Sequence, residues 1–207
     1  MSRGLKMAYP FYRASWWIVF ILFKVLLRLK VEGQENIPLR GGIIFASNHA
    51  SYLDPPTIGV STKRELRFLA KRELFCYPIF RTIISKLNAI PIEREGVGKN
   101  ALKTILSALR NGEAVLLFPE GTRSKTGMLG DAKAGVGLIA SKTGRPVVPV
   151  YVSGTQRLWR TLLGLERLKV RFGKTIQFDG KVWDRDRKAQ YRAIGRQVMY
   201  EIGALIP

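Results

Sequence analysis

The chain has 207 residues, with 35 Lys and Arg against 15 Asp and Glu, so its formal charge is +20. That length suits one domain with a sizeable core. Hydrophobic residues at 46% and charged residues at 24% exclude a disordered tail, a collagen-like repeat and a polytopic membrane protein. One cysteine, Cys76, excludes an intramolecular disulfide framework, and one histidine, His49, excludes a histidine-cluster metal site. The positive excess points to an anionic partner: nucleic acid, an anionic lipid surface or a phosphorylated substrate.

The N-terminal stretch carries Arg3, Lys6 and Arg13, then a run of apolar residues from Trp16 to Phe23, then Lys24 and Arg28. From Ala14 to Leu27 a helix would reach about 21 Å, short of the roughly 30 Å bilayer core, and no small-residue cleavage site follows. Residues 1–32 therefore read as a membrane-associating helix, with Trp16 and Trp17 at headgroup level and Lys24 and Arg28 on one face. The competing reading packs the same helix on the core.

Residues 33–207 alternate short strands with helices. Strands are expected at 42–47, 67–70, 89–93, 114–118 and 147–152, with weaker ones at 169–172 and 175–178. Ala101, Leu102, Ile105, Leu106 and Leu109 follow helical spacing up to Asn111 and Gly112. Tyr191, Ile194, Val198, Ile202 and Leu205 form a last helical stripe, capped by Asp184 or Asp186. The pattern predicts an α/β fold with a mainly parallel central sheet flanked by helices.

The densest polar constellation, from Asn48 to Pro56, follows the first of these strands. On a continuous helix His49 and Asp54 would point about 140° apart. Across a strand-to-helix turn, with Asp54 as N-cap and Pro55 opening the helix, the carboxylate can reach one imidazole nitrogen and leave the other as a general base. A helix cap beside a structural histidine fits the spacing equally. A second polar loop, from Phe118 to Ser124, ends the next long strand, where Gly121 admits a ligand close to the backbone and Arg123 suits a phosphate. A third strand ends at Glu93 and Arg94, so three strand ends are expected to converge on one edge. Gly135 to Ala140 matches G-x-G-x-x-A, but no strand precedes it and no acidic residue follows at the needed distance. Leu168 occupies the first glycine position of the phosphate loop that Gly173, Lys174 and Thr175 suggest. Cys76, in the run LFCYPIF, reads as a small core residue.

In this order the segments resemble the glycerolipid acyltransferase family, and within it the bacterial lysophosphatidic acid acyltransferases. His49 and Asp54 match its H-x4-D motif, the strand ending in Arg94 its second block, FPEGTRS from Phe118 to Ser124 its third, and Val148-Pro149-Val150 its fourth. Glu93 stands where many members carry Asp. The resemblance implies transfer of a fatty acyl group from acyl-CoA or acyl carrier protein to the sn-2 hydroxyl of lysophosphatidic acid, with His49 as base oriented by Asp54. It also implies substrate contacts from Arg94, Glu120, Gly121, Thr122, Arg123 and Lys71, with no metal and no cofactor beyond the acyl donor. The expected location is a membrane surface, on the cytoplasmic face. A related enzyme acting on glycerol 3-phosphate or another lysolipid is the alternative. A nucleic-acid-binding module would suit the charge, but the basic residues are dispersed and no zinc-finger, RNA-recognition or basic-zipper signature appears, so no nucleic acid partner is expected.

Overall fold

The computed structural model describes residues 10–93, 97–178 and 186–207. Its centre is a six-stranded sheet with strand order β1-β8-β7-β2-β6-β3. The strands are β1 (Lys30–Glu32), β2 (Ile43–Ser47), β3 (Leu66–Arg67), β6 (Ala114–Leu117), β7 (Val147–Ser153) and β8 (Lys169–Phe172). All neighbours run parallel except β7 and β8. β1 starts before the boundary expected at residue 33 and joins this sheet through β8.

Alternation along the strands builds two core layers. Ile44, Ala46, Val115 and Leu117 face one layer, which is covered by α4 (Lys99–Arg110), α5 (Ala134–Thr143) and α7 (Arg187–Gly203). Ile43, Phe45, Ala114 and Leu116 face the other, covered by α1 (Pro10–Val25) and α2 (Asp54–Val60). The helical stripes at Ala101, Ile105 and Leu109 and at Ile194, Val198 and Ile202 are buried as their spacing predicts. Asp186 caps α7, its carboxylate accepting from the Lys188 N–H, while Asp184 lies outside the described residues. Leu205 lies beyond the end of α7. Gly137, in the rejected dinucleotide pattern, lets α5 approach α7: a Cβ there would stand 2.0 Å from the Tyr191 carbonyl oxygen.

Four expectations are corrected. The segment 175–178 is a single antiparallel bridge between Val147 and Ile176. The Pro149 carbonyl accepts from Gly173 on the β8 side, so the N–H that proline lacks is missing on that side, and the β7–β8 ladder stops at Phe172. Secondly, the strand around Ile90 is not in the main sheet. β5 (Ile90–Ile92) pairs in parallel with β4 (Leu69–Lys71) as a separate two-stranded sheet reached from β3 through Phe68. Thirdly, Cys76 is exposed, in a short 3-10 turn (Arg72–Cys76) outside both core layers.

The fourth correction concerns α1. Trp16 turns inward, its indole N–H shared between the carbonyls of Gly59 (3.0 Å) and Thr62 (3.2 Å), while Val19, Phe20 and Phe23 pack on the core. Trp17, Ile18, Ile21 and Val25 are exposed on the other side. The helix ends at Val25, and Arg28 follows it with φ +50°, so Arg28 does not share a helix face with Lys24. Among the described residues no helix is long and apolar enough to cross a membrane.

Candidate active site

Three parallel strands, β2, β6 and β7, end side by side and send their loops to one edge of the sheet. From the β2 loop His49 places Nδ1 2.8 Å from Asp54 Oδ2. The same oxygen accepts the N–H groups of Ala50 and Ser51, each at 2.7 Å, and Oδ1 accepts the Thr155 hydroxyl at 2.6 Å. Asp54 is fully buried. Every partner around it is a donor, which matches an acceptor-only carboxylate. Nδ1 therefore carries the ring proton and Nε2 is left as the acceptor.

Asp54 is the first residue of α2, not its N-cap; Leu53 flanks the helix, and Thr57 N–H donates to the Leu53 carbonyl. A cap at Asp54 would find no N–H at Pro56, and that of Thr57 is already taken by the Leu53 carbonyl. The carboxylate instead folds back over the preceding loop, towards the histidine.

The β6 loop holds this arrangement from the side. The Phe118 ring stacks on the imidazole at a centroid distance of 3.9 Å, and His49 retains a side-chain exposure of 17%. Glu120 is buried; Oε1 accepts the His49 N–H at 3.1 Å and Oε2 the Gly130 N–H at 3.2 Å. Ser124 N–H donates to the His49 carbonyl at 2.7 Å. On the β7 side, Asn48 Nδ2 donates to the Val152 carbonyl (2.9 Å) while its Oδ1 accepts the Val152 N–H (2.8 Å).

Gly121, Thr122 and Arg123 are exposed on the same loop. Gly121 has φ +67°, and a Cβ there would meet Lys133 Cδ at 2.8 Å, so this turn requires glycine and brings a lysine beside it. The Arg123 guanidinium lies 3.6 Å above the Tyr52 ring centroid and donates to the Tyr52 hydroxyl at 2.9 Å. His49, Asp54, Glu120, Gly121, Thr122 and Arg123 thus meet at the edge shared by β2 and β6. Lys71 ends β4 on the separate small sheet, in register with Ile92. Arg94 lies outside the described residues; Glu93 before it pairs with Arg72 at 2.6 Å. Thr155 and Lys133 join the site from outside the expected motifs, whereas Asn48 and Tyr52, inside the polar run from Asn48 to Pro56, gain specific roles through Val152 and Arg123. No local signal marks Thr155, whose partner Asp54 lies 101 positions away.

The profile of the Acyltransferase family matches residues 28–153. The 1-acyl-sn-glycerol-3-phosphate acyltransferase of Bacillus subtilis is 34% identical over 136 residues, covering 63% of this chain and 67% of that protein. The chloroplastic enzyme of that name from Arabidopsis thaliana is 36% identical over 137 residues, 65% of this chain and 38% of its own length. The matches thus span only about two fifths of the chloroplastic relatives' length. The crystal structure of the 1-acyl-sn-glycerophosphate acyltransferase PlsC from Thermotoga maritima superposes with a TM-score of 0.68 over 95% of this chain and 83% of that one, at 24% identity, and so shares the fold. By its profile, its relative in Bacillus and the motifs gathered at this edge, the chain belongs to the acyltransferase family.

Proposed function

We propose that the protein transfers a fatty acyl group from acyl-CoA or acyl carrier protein to the sn-2 hydroxyl of lysophosphatidic acid, giving phosphatidic acid. The observation that carries the reading is a reachable imidazole whose Nδ1 is committed to a buried carboxylate. His49 Nε2 takes the proton of the acceptor hydroxyl as its oxygen attacks the thioester carbonyl. Asp54 stabilises the resulting imidazolium, and Thr155 with the Ala50 and Ser51 N–H groups keeps the carboxylate in place. Collapse of the tetrahedral intermediate expels the thiolate, which receives the proton back from Nε2. No acyl-enzyme is needed.

Arg123 leaves its seat on Tyr52 to hold the acceptor phosphate, with Lys133 beside Gly121, and the family resemblance adds Arg94 and Lys71 as further substrate contacts. Gly121 and Thr122 line the position of the developing oxyanion. Glu120 acts at one remove, as the tie between the His49 peptide and the β6 loop. The exposed apolar side of α1 lies in one leaflet, consistent with an acceptor that resides in the bilayer.

Purified protein assayed against acyl-CoA and acyl carrier protein donors, with lysophosphatidic acid, glycerol 3-phosphate and monoacylglycerol as acceptors, tests the proposal through the thiol released. Release with lysophosphatidic acid is expected, and Arg123→Ala should raise KM for that acceptor but not for monoacylglycerol. Turnover with glycerol 3-phosphate and none with lysophosphatidic acid would replace this reading with its alternative.

A further inference from the structure

The carboxyl edge of the sheet carries more than the His49 cluster. β7 ends at Ser153, whose register partner Lys169 opens β8, and Lys169 in turn pairs with Lys30 at the start of β1. The chain leaving α1 therefore enters the sheet at the edge where Thr155 follows β7. Between β7 and β8 it forms α6 (Leu158–Leu162) and a turn through Gly164. This segment exposes Trp159, Leu162, Leu163 and Leu165 at 58%, 58%, 69% and 62%. The end of α1 exposes Leu22, Val25 and Leu26 at 46%, 69% and 56%.

The two sets adjoin. A Cβ on Gly164 would meet Arg28 Nη1 at 2.9 Å, and Leu168 N–H donates to the Leu27 carbonyl. A lone exposed leucine needs no explanation, but large apolar side chains grouped on two neighbouring segments mark an interaction surface. The flanking charge selects the partner: Lys24, Arg28, Arg157 and Arg167 are exposed there, whereas Glu166 is engaged by Arg160 at 2.7 Å.

We propose that α6 and the turn after it are a second membrane contact, entering one leaflet of an anionic bilayer together with the end of α1. The inference rests on the bilayer-resident acceptor proposed above. Trp159 and the leucines reach the boundary between headgroups and acyl chains, and the basic side chains remain with the phosphates. A helix lying alone in the interface leaves a domain able to roll about the helix axis. A second contact beside the catalytic loops removes that rotation and turns His49 towards the leaflet.

The test uses the full chain with Cys76→Ser and Leu163→Cys, so that a nitroxide attaches at residue 163 alone. With vesicles of equal parts phosphatidylglycerol and phosphatidylcholine, the protein should pellet, and the label should collide more with dissolved oxygen and less with an aqueous nickel chelate. Leu162→Ser, Leu163→Ser and Leu165→Ser combined should weaken partitioning by about a hundredfold or more, with turnover of a monodisperse short-chain lysophosphatidate unchanged. Pelleting with a label as accessible to nickel as in solution overturns the second contact and leaves that of α1 standing. Absence of pelleting overturns both contacts. A label shielded without vesicles, in a species of dimeric mass, overturns lipid as the occupant in favour of a second copy. Thiol release from the short-chain acceptor reports on acyl transfer separately from all three.

Discussion

At the carboxyl edge of the sheet the wholly buried Asp54 collects the N–H groups of Ala50 and Ser51. At the amino edge Arg64, 9% exposed, gives hydrogen bonds to the carbonyls of Pro38 (2.6 Å), Gly41 (2.6 Å) and Gly112 (3.0 Å). Each is a charged side chain that ties several stretches of main chain, and each stays buried only because its hydrogen bonds are met. Burial lowers the Arg64 pKa, yet a guanidinium keeps its proton in proteins. The difference lies in the partners. Those of Arg64 are all carbonyls, so it fastens loops and nothing more. One partner of Asp54 is an imidazole with a nitrogen to spare, and on the function proposed above this nitrogen makes the tie a base.

Removing the imidazole should separate the two roles most sharply. His49→Ala is expected to lower kcat by about 10² to 10⁴, with a melting temperature close to that of the parent in calorimetry. Equal activity in the two proteins would end the assignment of the base. Next in size, Arg64→Leu should cost about 2 kcal/mol of stability in urea titration, from three carbonyls that lose a charged donor. Its KM values should stay at the parent's, and a change in KM would mean that the two edges are not independent.

Thr155→Val tests the carboxylate from behind. Loss of one charge-assisted hydrogen bond should reduce kcat about tenfold and displace the pH profile of kcat/KM, with Thr155→Ser restoring both. A parent-like profile would reduce Thr155 to packing. The smallest effect is expected at Glu32, where Lys30 first and then Arg171 hold the half-buried carboxylate below its usual range. A depressed pKa stabilises the fold above the unfolded value and the benefit is lost as pH falls through the folded one. Glu32→Gln should therefore melt slightly earlier than the parent near neutrality, and the gap should close in acid. A gap that widened in acid would reverse the sign.

Much of this was readable from residue order. Unbroken apolar runs marked β2, β6 and β7 because buried parallel strands need no polar face, and amphipathic spacing marked α4 and α7. The His49–Asp54 contact was visible as a possibility because only a turn brings positions five apart together. Other features depended on contacts remote in sequence. Thr155 meets Asp54 across 101 positions, and no local pattern announces such a pairing. The strand expected at 175–178 failed on Pro149, a residue in a different strand. Asp54 has the composition of a cap, but its carboxylate is taken by His49, Ala50, Ser51 and Thr155.

The Asn48 side chain exchanges both of its amide bonds with the Val152 backbone, continuing the β2–β7 ladder by one rung after β2 itself has ended. The residue preceding His49 is therefore indexed to β7 as firmly as a strand residue would be. Everything from Gln156 to Arg167 hangs from that rung's far side. A change in the length or apolar character of this excursion therefore leaves His49 at its coordinates.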